Sequence, residues 1–131
     1  MRKTIKVVMI EPGMFARTAE IFADLESMQE VVGGFIEAFY PFEEDVCIIC
    51  SDEGKLLGMP LNRAVRSGDG DIIDVIAGPA FICDCSGENF ASLNEEQIER
   101  YTEMFRFPQL FFMENGKVNV MDMLPWELDV Y

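Results

Sequence analysis

Apolar positions along this chain alternate between two rhythms, short β-branched runs and stretches at helical spacing, with glycine, proline or acidic clusters marking each change. Lys3 to Ile10 is a β-branched run closed by Glu11-Pro12-Gly13, and Arg17 to Phe22 is placed to pair back as a hairpin. From Asp24 the period becomes helical: Leu25, Met28 and Val32 share a face, Asp24 suits an amino-terminal cap, and Gly33-Gly34 suits a left-handed stop. Phe35 to Phe42 resumes as strand up to the acidic turn Glu43-Glu44-Asp45, and Val46 to Ser51 reads as a buried strand. Asp52-Glu53-Gly54 predicts a turn into Lys55 to Met59, giving a second hairpin.

The stretch Leu57 to Arg63 leaves the strand pattern, and Ser67 to Asp71 predicts an exposed turn. Ile72 to Asp84 is the longest strand-like run, and Gly78-Pro79 implies a bulge, bend or edge within it. Ser92-Leu93-Asn94-Glu95 matches a capping box, followed by Ile98, Tyr101 and Phe105 at helical spacing until Pro108. Phe111 to Glu114, Asn115-Gly116 and Lys117 to Met121 predict a third hairpin. Leu124, Trp126, Leu128 and Val130 then alternate with Pro125, Glu127 and Asp129 at strand period, a segment suited to edge pairing or exchange in a homodimer. The pattern as a whole predicts an α+β fold, mostly antiparallel sheet built from hairpins, with two main helices at about 24–33 and 93–106. It divides into a single domain over 1–122 and a carboxy-terminal tail over 123–131.

Composition narrows the partners. Among 131 residues, 24 acidic side chains face 10 basic ones, a formal net charge of -14 with no histidine. Such a chain is expected to avoid nucleic acid and anionic membrane, leaving a basic protein surface, a bound cation or simple solubility. No segment approaches the roughly 18 uninterrupted apolar residues of a membrane span, and Met1 to Glu11 reads as a first strand rather than a signal peptide. The expected compartment is the cytoplasm.

Several blocks, taken in order, resemble a known family. These are Val7 to Gly13 with its Glu-Pro-Gly, Met28 to Glu37, Asp52 to Arg63, and Ile76-Ala77-Gly78 followed by Phe81-Ile82. Together, over about Lys3 to Phe111, they are similar to the domain of unknown function 3846 family, small domains of bacteria, plasmids and phages. The resemblance implies a cytoplasmic passenger of a mobile element and brings no reaction with it. The paired cysteines and the Trp126 tail are not motifs of that family.

The candidate chemistry is sparse. Cys47-Ile-Ile-Cys50 with Cys83-Asp-Cys85 has the count of a zinc site, but strand period sends Cys47 and Cys50 to opposite faces, so no metal is expected and the thiols read as core residues. Asp69-Gly70-Asp71 with Asp74 lacks the spacing of a calcium loop. Asp74 lies between Ile73 and Val75 and needs donors, for which Arg63 or Arg66 is the proposed source. Asn62, Arg63 and Arg66, with Lys55 before them, concentrate hydrogen-bond donors and are the first place to look for a small anionic ligand. Glu95, Glu99 and Glu103 repeat a negative charge about every 6 Å along one helix face, a row able to imitate a phosphate backbone toward a basic partner. There is no P-loop, no dinucleotide fingerprint, no serine elbow and no histidine base, so neither a cofactor nor a catalytic residue can be assigned.

Overall fold

A computed structural model describes residues 3–124, and the predicted dimer residues Trp126, Leu128 and Val130 lie outside that span. Within it the chain forms β1 (Thr4–Ile10), β2 (Arg17–Phe22), α1 (Leu25–Val32), β3 (Ile36–Phe39), β4 (Val46–Ser51), β5 (Leu61–Arg66), β6 (Ile72–Ala77), β7 (Ala80–Asp84), α2 (Glu95–Met104), β8 (Gln109–Glu114) and β9 (Lys117–Asp122). The fold is α+β, and every strand pairing is antiparallel.

One five-stranded sheet, in the order β2-β1-β7-β4-β3, organises the molecule. Its central strands β4 and β7 are covered on both faces, which is why their sequences run apolar without alternation. One face packs Ile5, Val7, Met9, Cys47, Ile49, Phe81 and Cys83 beneath Met28 and Val32 of α1. The other packs Val8, Ile10, Val46, Ile48 and Ile82 beneath Tyr101 of α2, Phe105 at its carboxy-terminal cap, and Val65 and Ile76 of the β5–β6 hairpin. Two layers on one sheet thus give two cores, and burial on both sides supplies the hydrophobic stabilisation.

Local signals explain the helices. The Asp24 carboxylate accepts from the Ser27 amide at 2.8 Å, and Gly33 takes the left-handed conformation at φ 81, so α1 starts and stops where the sequence indicates. Leu25, expected on the inner face, is exposed in the first turn, outside the contact made by Met28 and Val32. The capping box of α2 sits two residues later than expected. Asn94 and Gln97 form it, while the Ser92 hydroxyl accepts from the Lys6 amide at 2.9 Å and ties the approach to β1 instead.

Two expectations about the middle of the chain are corrected, and a third, the interruption at Gly78-Pro79, is made specific. Lys55 to Met59 makes no strand: Leu57 bonds back to Glu53 and Met59 to Gly54, coiling the segment as turns, and β4 pairs instead with β3 and β7. Leu61 to Arg66 does form a strand, disguised in sequence because its polar Asn62 and Arg63 are buried. The long run Ile72 to Asp84 is two strands in two different sheets, and the break falls at Gly78, whose φ of 82 turns the chain from the hairpin into the main sheet. The third hairpin is as predicted, with Asn115 and Gly116 both at positive φ as a type I′ turn requires.

Candidate functional site

The sequence-selected donors divide between core and surface. Asn62 and Arg63 are buried, and every contact they make is internal. The Asn62 amide donates to the carbonyls of Ile10 and Gly78 at 3.0 and 2.8 Å. The Arg63 guanidinium donates to the carbonyls of Phe105, Glu11 and Met14 at 3.0, 3.2 and 2.6 Å and to the Asn62 side chain at 2.9 Å. Burial pulls the Arg63 pKa down to about 10 against a smaller opposing pull from Asp122. The cation is held by backbone carbonyls, one of them at the carboxy-terminal end of α2, where the helix dipole favours positive charge. Its fork is therefore turned inward, stitching β5 to the turn after β1 and to α2, and is not offered to a ligand.

Arg66 lies on the surface, donating to the Gly70 carbonyl at 2.8 Å. Asp74 is not its partner, nor that of Arg63: the carboxylate meets Lys55 at 2.6 Å and the Val75 amide at 2.7 Å. The turn at Gly54 is what brings Lys55 across. Gly54 lies so close to β6 that an added Cβ would stand 2.6 Å from the Ala77 carbonyl oxygen, so the 52–58 segment seats directly on that strand. Beneath it opens a cavity of about 390 Å³, lined among others by Glu37, Phe39, Cys50, Asp52, Lys55 and Asp74. Sequence reasoning reached Lys55 and Asp74 but missed Glu37, Cys50 and Asp52. Their only signal was a carboxylate or thiol at the ends of two strands whose pairing the sequence did not reveal.

The cysteines behave as their spacing predicts. Cys47 and Cys50 lie on opposite faces of the sheet, in the two separate cores. Cys47 and Cys83 are neighbours with sulfurs 3.9 Å apart, and contact with Cys83 followed by burial pushes the Cys47 thiol far up. No group of three or more Cys, Asp or Glu side chains among the described residues is placed to hold a metal ion.

On α2, Glu95, Glu99 and Glu103 are exposed while Tyr101 and Phe105 anchor the opposite side. Two arginines interrupt the acidic face. Arg106 approaches Glu103 at 3.6 Å, and Arg100 bonds both Glu96 and Glu44. Glu95 and Glu99 meet no cation among the described residues. Glu44, which sequence reasoning saw only as part of a turn, is the organiser here: it accepts from the Tyr101 hydroxyl at 2.5 Å and the Gln97 amide at 2.7 Å. Those two bonds hold its carboxyl below the usual range. Burial, then Glu44, pushes the Tyr101 phenol up to about 12.

This is a small antiparallel α+β domain with an internally committed arginine, a cavity under the 52–58 segment and an acidic helix. The chain belongs to the family described as domain of unknown function (DUF3846), whose profile matches residues 5–106. No curated protein and no solved structure matches it. The matched span ends with the turn after α2, so the β8–β9 hairpin lies beyond it.

Proposed function

We propose that this domain is a non-catalytic acidic interaction module, a cytoplasmic passenger of a mobile genetic element, and that the outer face of α2 engages a basic partner protein. The observation that carries the reading is the exposure of Glu95, Glu99 and Glu103 on a helix fixed from behind by Tyr101 and Phe105. A pre-organised row of charge gains more from a complementary surface than a mobile one, because less side-chain and backbone freedom is lost on association. Glu43 and Glu44, on the turn that meets α2, extend the same negative field, although Arg100 offsets part of it. The net charge of -14 disfavours nucleic acid itself as the partner and favours a protein that binds nucleic acid. No helix among the described residues is long and apolar enough to cross a membrane, in keeping with a partner in solution.

The test is a partner search followed by a salt series. Proteins cross-linked to the domain in a bacterial lysate are identified, and the purified complex is titrated with sodium chloride. The triple variant Glu95→Gln, Glu99→Gln, Glu103→Gln should weaken binding at least tenfold and flatten its salt dependence, while Glu20→Gln, Glu26→Gln, Glu30→Gln, with the same charge change elsewhere, should not. Equal losses in both variants, or binding indifferent to salt, would remove α2 as the interface.

A second reading, binding of a small ligand, has the cavity beside Asp74 in its favour. Asn62 and Arg63 do not line that cavity, so the anionic site drawn around them loses its principal donor to the core.

A further inference from the structure

The cavity under the 52–58 segment has a character of its own, independent of the α2 surface. Its volume of about 390 Å³ lies in the range of small-molecule sites, roughly 300–1,000 Å³. Phe39, Val75 and Ile76 give it apolar wall, and Leu56, on the coiled turn that lines the same cavity, is 86% exposed. Three carboxylates line it, those of Glu37, Asp52 and Asp74, against one cation, Lys55. Lys55 is already paired with Asp74 at 2.6 Å, and Glu37 and Asp52 meet no cation among the described residues. The three acids are too dispersed to close around a metal ion.

Cys50 reports the field inside. Its thiol is pushed up to about 11, first by burial, then by the negative charges of Glu37 and Asp74, with Lys55 opposing them. A wall that is negative at the rim and apolar along its length suits a ligand with a positive end and an apolar body, and it repels an anion.

We propose that this cavity binds a small organic cation, an amine carrying a short apolar or aromatic body, with Glu37 and Asp52 receiving the ammonium and Phe39, Leu56 and Val75 covering the body. An ammonium donates up to three hydrogen bonds to carboxylates, and each such charge-assisted bond is stronger where neighbouring apolar walls exclude water. Leu56 then closes over the ligand, which accounts for an exposed leucine on a turn that is otherwise well seated.

The experiment uses 2-phenylethylamine as probe, with 2-phenylethanol and 3-phenylpropanoate as its neutral and anionic counterparts, all at 0.15 M salt or about 8 Å of screening length. Amide chemical shifts on the full chain should move at residues 37–39, 50–56 and 74–77 with the amine, and at least tenfold more weakly with the alcohol or the acid. Glu37→Gln with Asp52→Asn should weaken the amine at least tenfold. Glu26→Gln with Glu30→Gln, removing the same charge from α1, should change it less than twofold. Lys55→Gln should tighten binding severalfold, because it removes the one competing cation and releases Asp74. Equal binding of the alcohol, equal losses in the α1 control, shifts elsewhere on the surface, or no tightening in Lys55→Gln would each overturn the proposal.

Discussion

The Nε of Arg63 donates to the carbonyl of Phe105 at 3.0 Å, joining β5 to the end of α2 across 42 positions of sequence. The other guanidinium nitrogens take the carbonyls of Glu11 and Met14, so one side chain holds three segments together. A buried carbonyl left without a donor costs about 1–3 kcal/mol. Arg63→Met, which keeps the apolar stem, is therefore expected to lose about 3 kcal/mol or more, a fall in Tm of about 12 °C for a domain of this size. Arg63→Lys should recover little of it, because a single ammonium cannot span the three carbonyls. Arg66→Met, at an exposed arginine with one backbone contact, should stay within about 0.5 kcal/mol. Thermal melts followed by circular dichroism decide it, and equal losses at the two positions would show that Arg63 is no clamp.

The Glu44–Tyr101 pair gives a pH signature at both ends of the scale. A carboxyl whose pKa is lowered on folding adds stability that is present above its unfolded pKa and is lost as pH falls through the folded value. Tyr101 is raised, to about 12, so its contribution is complete below the unfolded phenol pKa near 10 and is lost as pH rises toward 12. Glu44→Gln should flatten the acid limb of the stability profile and bring the Tyr101 titration, followed by ultraviolet absorbance, closer to 10. An acid limb unchanged in Glu44→Gln would mean that other carboxyls govern it.

Two glycines should be intolerant for different reasons. At Gly78 the φ of 82 is unfavourable for an L side chain, and a Cβ would stand 2.5 Å from the Met59 sulfur. Gly54 has no such backbone constraint, but its Cβ would meet the Ala77 carbonyl oxygen at 2.6 Å, and that strand cannot yield without opening β5–β6. Gly78→Ala is expected to cost about 2 kcal/mol, partly relieved by Met59→Ala, whereas nothing short of a backbone shift relieves Gly54→Ala. Gly68→Ala, with open space around it, should be neutral or stabilising by up to about 1 kcal/mol. Urea denaturation midpoints of the four variants provide the comparison.

Elements governed by local chemistry were legible in the sequence. Asp24 and Gly33 bound α1, Asn115-Gly116 turns β8 into β9, and the apolar runs of β1 and β4 follow from burial. What failed was long-range. Nothing near Leu61 to Arg66 announces a strand, because the reason for its burial is a set of carbonyls 42 to 52 positions away. The same holds for the site: Asp74 was recognised as needing a donor, but Lys55 reaches it only because Gly54 lets the turn lie flat on Ala77. Glu44 was read only as part of an acidic turn because its partners Gln97, Arg100 and Tyr101 lie on a helix more than 50 positions later.

The β8–β9 hairpin supplies the last prediction. In its register Leu110 stands opposite Met121, and with Phe112 on the same face all three are exposed, on a two-stranded sheet that packs only lightly on the domain. An isolated hairpin is marginal in water, and one that leaves such residues uncovered has a face available for association. By sequence the chain continues from it into Leu124, Trp126, Leu128 and Val130 at strand period. The hairpin itself carries only Glu114 and Asp122 against Lys117, a net charge of -1 in a chain at -14, so two copies would meet there with little repulsion. Truncation after Asp122 and the double variant Phe112→Lys, Met121→Lys are each expected to convert a dimer to the mass of one chain by light scattering. A full-length chain already monomeric at 100 μM, or a dimer that survives both changes, would dismiss this surface as the contact between copies.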